Sequence, residues 1–119
     1  MSTINLFNKN VFQFLDDLDK IISIDYYSKL ISQKKVYIER VLLLKNDILI
    51  ELFKKSIFIY KDNILKHDTS ILSNINKLEL FEGLNIEELL NHMSDENKNI
   101  FWNYLKAFIL LCEKHYFTL

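Results

Sequence analysis

The chain of 119 residues contains no proline, a single glycine and a single cysteine. Without proline, nothing in the covalent backbone interrupts a long helix. Gly83 is the one residue that can reverse the chain through left-handed backbone at no steric cost. The lone Cys112 excludes an internal disulfide and suits a reducing compartment, cytosol or nucleus. An excess of charge is also missing, since 15 basic side chains face 16 acidic ones for a net charge of −1. Lysines and carboxylates are interspersed, so no basic face is expected to track a phosphate backbone, and nucleic-acid binding is disfavoured. One glycine is too few for a glycine-rich phosphate cradle. The most apolar stretch, 100–112, is interrupted by Asn103 and Lys106 and is shorter than the ~20 residues a membrane span requires. It reads as a core helix. Met1-Ser2-Thr3-Ile4-Asn5 lacks the basic-then-apolar order of a secretory signal.

What is present is globular. Half the residues are apolar, enough for one core in a single domain over residues 1–119. Helical periodicity dominates. A first helix is expected over about 6–23, with Phe7, Val11, Phe14, Leu18 and Ile21 inward, joined by Leu15 and Ile22. A second runs from Asp25, a candidate N-cap, to about Leu44. Tyr26, Leu30, Tyr37, Val41 and Leu44 make one stripe, with Tyr27, Ile31, Ile38 and Leu42 beside it. A third, capped by Asn46 or Asp47, is expected to continue to about Lys66. Its broad arc of Leu49, Leu52, Phe53, Ser56, Ile57, Tyr60 and Ile64 predicts a central position.

Residues 67–82 are the least regular, with a helical turn expected at Ser70–Ser73. Asn85 and Glu88 have capping-box spacing and open a short helix through His92. Ser94 caps a last helix from 95 to about 117, with Asp95 and Glu96 favouring its positive end. Phe101, Leu105, Phe108, Ile109 and Cys112 face inward from it. The expected fold is all-α, an irregular bundle of about four long helices plus one short helix.

Sites of chemistry are hard to find. His67, His92 and His115 lack a second ligand at any recognised zinc spacing, so no metal site is assigned. Cys112 falls on an apolar arc and reads as a small core hydrophobe rather than a nucleophile. Asp16 and Asp19 share a helix face and, with Asp17, could chelate a cation; a solvated polar face is the simpler reading. No acid–base pair, catalytic residue, cofactor site or small-molecule substrate is identified, and the chain is not expected to be an enzyme.

Five residues mark a candidate partner surface. Trp102 and Tyr104 are either core aromatics with a polar edge or interface anchors. Phe58 falls on a polar arc of the third helix with Glu51, Lys54, Lys55, Lys61 and Asp62. Val36 and Leu43 interrupt a side of the second helix that carries Lys29, Ser32, Glu39 and Arg40. Either a later segment covers Phe58, Val36 and Leu43, or they meet a protein partner or a second copy of the chain.

The segment Met93-Ser94-Asp95-Glu96-Asn97-Lys98-Asn99-Ile100-Phe101-Trp102-Asn103-Tyr104-Leu105-Lys106 resembles a recurring tail in uncharacterised small helical proteins of large nucleocytoplasmic (giant) DNA viruses. Phe7-Asn8-Lys9, Leu52-Phe53 and Tyr60-Lys61-Asp62-Asn63-Ile64-Leu65-Lys66-His67-Asp68 follow the same order and spacing. The chain departs from that pattern at Ile22-Ser23-Ile24 and Phe81-Glu82-Gly83-Leu84, where prolines are expected, and at Ile71 and Leu72, which replace phenylalanines. The resemblance implies a virus replicating in host cytoplasm, with the protein in the cytoplasm, the viral factory or the virion. It implies no biochemical role. Two functions follow as expectations: a small helical module that binds another protein, or a structural component of the virion.

Overall fold

A computed structural model describes residues 2–22, 25–76 and 81–117. The described residues fold into helices joined by turns and short connections, with no strand among them. The helices are α1 (Thr3–Ile22), α2 (Asp25–Leu44), α3 (Ile48–Ser56), α4 (Lys61–Leu65), α5 (Leu72–Ile75), α6 (Ile86–Asn91) and α7 (Asp95–Phe117). Short 3-10 turns at Phe58–Tyr60 and Thr69–Ile71 lead into α4 and α5.

The central pair is α1 and α7, which make the most extensive helix–helix packing. From α1, Phe7, Val11, Phe14, Leu15 and Leu18 are buried at spacings of three, four and one. From α7, Phe101, Trp102, Leu105, Phe108, Ile109 and Cys112 meet them. Aromatic rings form the middle of this core. Phe108 lies 5.1 Å from Phe7 and 5.8 Å from Phe53, while Phe14 contacts Phe81 at 6.0 Å and Phe101 at 5.8 Å. Such tilted and edge-on pairs add about 0.5–1.5 kcal/mol each beyond their apolar burial.

The starts of the helices follow local capping chemistry. Helix α1 begins three residues before the expected start because the Ser2 hydroxyl accepts from the Asn5 N–H at 3.1 Å. Ser94 caps α7 as expected, its hydroxyl accepting from the Asn97 N–H at 3.2 Å. Asn85 caps α6 by accepting from the Glu88 N–H at 3.1 Å. Glu88 completes this box differently from the usual form, since its carboxylate accepts from the Asn85 side-chain amide at 3.3 Å. Asn76 adds a third arm from the end of α5, its Oδ1 accepting from the Ile86 N–H at 2.7 Å. Asp68 opens the turn at Thr69–Ile71 by accepting from the Ser70 N–H at 3.0 Å. Gly83 sits at φ +83° between these elements.

Two expectations for the third helix, its length and its central position, are corrected. The third helix does not continue to Lys66; it breaks after Ser56, where the Tyr60 N–H bonds back to the Ile57 carbonyl at 2.8 Å in a 3-10 turn. Ser56-Ile57-Phe58-Ile59-Tyr60 is a run of β-branched, aromatic and hydroxyl residues, which lose side-chain freedom or compete for backbone bonds in a helix. Nor is that helix surrounded: Leu52 is 46% exposed and Ile59 71% exposed. In α2 the structure selects between the two stripes. Ile31 and Ile38 are its buried residues, flanked by the half-buried Tyr27 and Leu42. Of the other stripe, Leu30 packs partly buried against the core, while Tyr37 is 54% and Leu44 89% exposed. The Asp25 cap, the Tyr26 side chain and Ser23 lie outside the described residues.

Candidate docking site

The outward stripe of α2 and the neighbouring face of α3 form an open groove of about 440 Å³. Leu30, Tyr37, Ile38 and Val41 of α2 line one wall, and Ile48, Leu49 and Leu52 of α3 line the other. The helix spacing explains the wall: Leu30, Tyr37, Val41 and Leu44 fall on one side of α2, with Lys34 among them. Beside it, residues 27, 31, 38 and 42 form the strip that faces α1 and the core. One helix therefore carries two apolar strips, and the fold of the described residues covers one of them.

Polar groups hold the groove's geometry. Lys35 of α2 pairs with Asp16 of α1. The turn between α2 and α3 is closed by Lys45, which pairs with Glu51 at 2.6 Å. Hydrogen bonding holds the Lys45 ammonium above its ordinary pKa and the Glu51 carboxyl below its own. Both pairs are open to solvent and add little stability. At the other end, Gly83 lies against Leu30, where a Cβ would come within 2.8 Å of the leucine side chain.

The five residues singled out from the sequence do not form one surface. Val36 and Leu43 are 47% and 88% exposed on the outer shoulder of α2. Phe58 is partly buried and stacks on Phe117 at 5.5 Å, where the 3-10 turn meets the end of α7. Lys54 lies over the Tyr116 ring at 4.2 Å in the same cluster. Trp102 is 4% exposed and belongs to the core, with His67 stacked on its face at 5.2 Å. Tyr104 is half-buried and donates its hydroxyl to Asp17, tying α7 to α1. Burial and this carboxylate push its phenol far above the usual range.

The acidic trio of α1 is divided among three partners on two helices: Asp16 takes Lys35 and Asp19 accepts from Ser28, both of α2, while Asp17 takes Tyr104 of α7. Among the described residues, no group of three His, Cys, Asp or Glu side chains is placed to hold a metal ion. Cys112 is fully buried, and burial raises its thiol to about 11. No helix of the described residues is long and apolar enough to cross a membrane.

Tyr37 and Leu44 belong to one of the two neighbouring α2 stripes and Leu52 to the broad arc of the third helix, and the fold leaves all three exposed. A signal existed, since α2 has more apolar residues than one core-facing strip can use. Comparison with protein-family models, with curated proteins and with solved structures finds no match to this chain.

Proposed function

We propose that the chain is a small helical protein-interaction module that docks a partner on the α2–α3 face. The observation that carries this reading is the second apolar strip of α2. Tyr37 and Leu52, 54% and 46% exposed, line one groove, and Leu44 is 89% exposed at the end of the same helix as Tyr37. Apolar surface gathered this way marks a binding face more often than isolated exposed residues do. The inert character of Cys112 and the division of the Asp16, Asp17 and Asp19 carboxylates also favour a binding role over chemistry. The resemblance of the Met93–Lys106 segment to helical proteins of large DNA viruses makes a viral or host protein the natural partner class, in the cytoplasm or viral factory.

Affinity purification from infected cells tests the reading, with the wild type compared against the Leu44→Asp/Leu52→Asp variant and co-purified proteins quantified. A specific partner recovered by the wild type and lost by the folded variant is the expected result. High abundance in purified particles, together with partners indifferent to the variant, would instead transfer the function to a structural virion component.

A further inference from the structure

We infer that the outer shoulder of α2 packs antiparallel against the same shoulder of a second copy of the chain, forming a weak homodimer. This surface is separate from the groove, since Val36 and Leu43 are exposed on the shoulder and line no part of it. The inference therefore does not rest on the docking reading above. Val36, Glu39, Arg40 and Leu43 fall within about 100° of arc around the helix, and all four are exposed. Their order along α2 is apolar, acidic, basic, apolar, with two residues between each apolar residue and the nearer charge. Among the described residues, neither Glu39 nor Arg40 has an ion-pair partner, whereas Lys35 of the same helix is held by Asp16.

That order is its own complement when one copy is reversed. A two-fold axis crossing α2 midway between Glu39 and Arg40 sets Val36 against the second copy's Leu43, and Glu39 against its Arg40. Isologous symmetry makes each contact twice. Two copies aligned in parallel would instead bring Glu39 to Glu39 and Arg40 to Arg40, and like charges set opposite one another suppress that arrangement. A different protein could match the shoulder with any order of residues. A second copy matches it only where the order is self-complementary, as it is here. Because α2 ends at Leu44, the reversed helices overlap over residues 35–44 of each copy, about 15 Å. A contact of about three turns falls short of the ~1,200 Å² that stable complexes bury, so the dimer forms only as concentration rises.

Sedimentation velocity of the full-length chain over a rising concentration series tests the contact. The wild type is compared with Leu43→Asp, Glu39→Arg and Arg40→Glu, each first checked for native circular dichroism. The expected result is a wild-type monomer–dimer equilibrium that each substitution weakens about tenfold or more. The Glu39→Arg and Arg40→Glu variants present opposite charges to one another at both ion pairs. An equimolar mixture of the two should therefore recover the dimer that neither forms alone. A wild type that stays monomeric up to its solubility limit would overturn the homodimer and leave the shoulder to a different protein. A dimer unchanged by all three substitutions would overturn the shoulder as the contact. A dimer that Leu43→Asp abolishes, with no recovery in the mixture, would overturn the antiparallel register.

Discussion

His67 lies flat on Trp102, with ring centroids 5.2 Å apart and planes 9° from parallel. The histidine holds left-handed backbone, φ +54°, at the end of α4, and its Nε2 is buried without a hydrogen-bond partner. The stack therefore fastens the 3-10 and α4 region onto α7.

Acid should loosen this contact. Burial first, and then the charge of Lys106, lowers the His67 pKa from its usual 6.5. The unfolded chain accordingly binds the proton more readily than the folded one. The His67 contribution is complete above the unfolded pKa and is lost as pH falls through the folded value. Chemical denaturation at pH 7.5, 6.5 and 5.5 should show a smaller loss for His67→Asn, which tolerates the left-handed backbone, than for wild type. Parallel losses would remove His67 from the acid sensitivity.

Gly83 is expected to resist replacement. Its φ of +83° belongs to a region that side chains rarely adopt, and an added Cβ meets Leu30. The leucine tip can move, so the backbone term dominates, and Gly83→Ala should cost about 1–2 kcal/mol. An unchanged urea midpoint would contradict the left-handed turn.

The caps make a graded set. Ser94→Ala removes the acceptor for the Asn97 N–H and should cost about 1 kcal/mol. Asn76→Ala should cost a similar amount, because Asn76 caps α6 from outside by holding the Ile86 N–H. Thermal midpoints of the two variants measure both; no change on Asn76→Ala would show that Asn85 caps α6 alone.

Cys112 should behave as core. With its thiol raised to about 11 and fully buried, native protein should label slowly with a thiol reagent at neutral pH and quickly once denatured. Equal rates would contradict the burial.

Much of the architecture was legible because it is local. Asn85 and Ser94 announce α6 and α7 by hydrogen bonds that span three residues, and the core of α1 is a single unambiguous stripe. The break after Ser56 was hidden because no glycine or proline marks it. It depends on accumulated weak helix formers and on Phe58 folding against Phe117. The orientation of α2 was hidden for another reason: both of its strips are apolar, and only packing against α1 selects Ile31 and Ile38 over Tyr37 and Leu44. Partner contacts obey the same physics as core contacts, so sequence alone merged the two.

Hydrogen–deuterium exchange across the full chain, with and without its co-purified partner, tests the docking face most directly. The account predicts that added protection concentrates in α2 and α3, between Leu30 and Leu52, while α1 and α7 change little. Protection centred on α7 or on the Phe58–Phe117 cluster, with α2 unaltered, would contradict it.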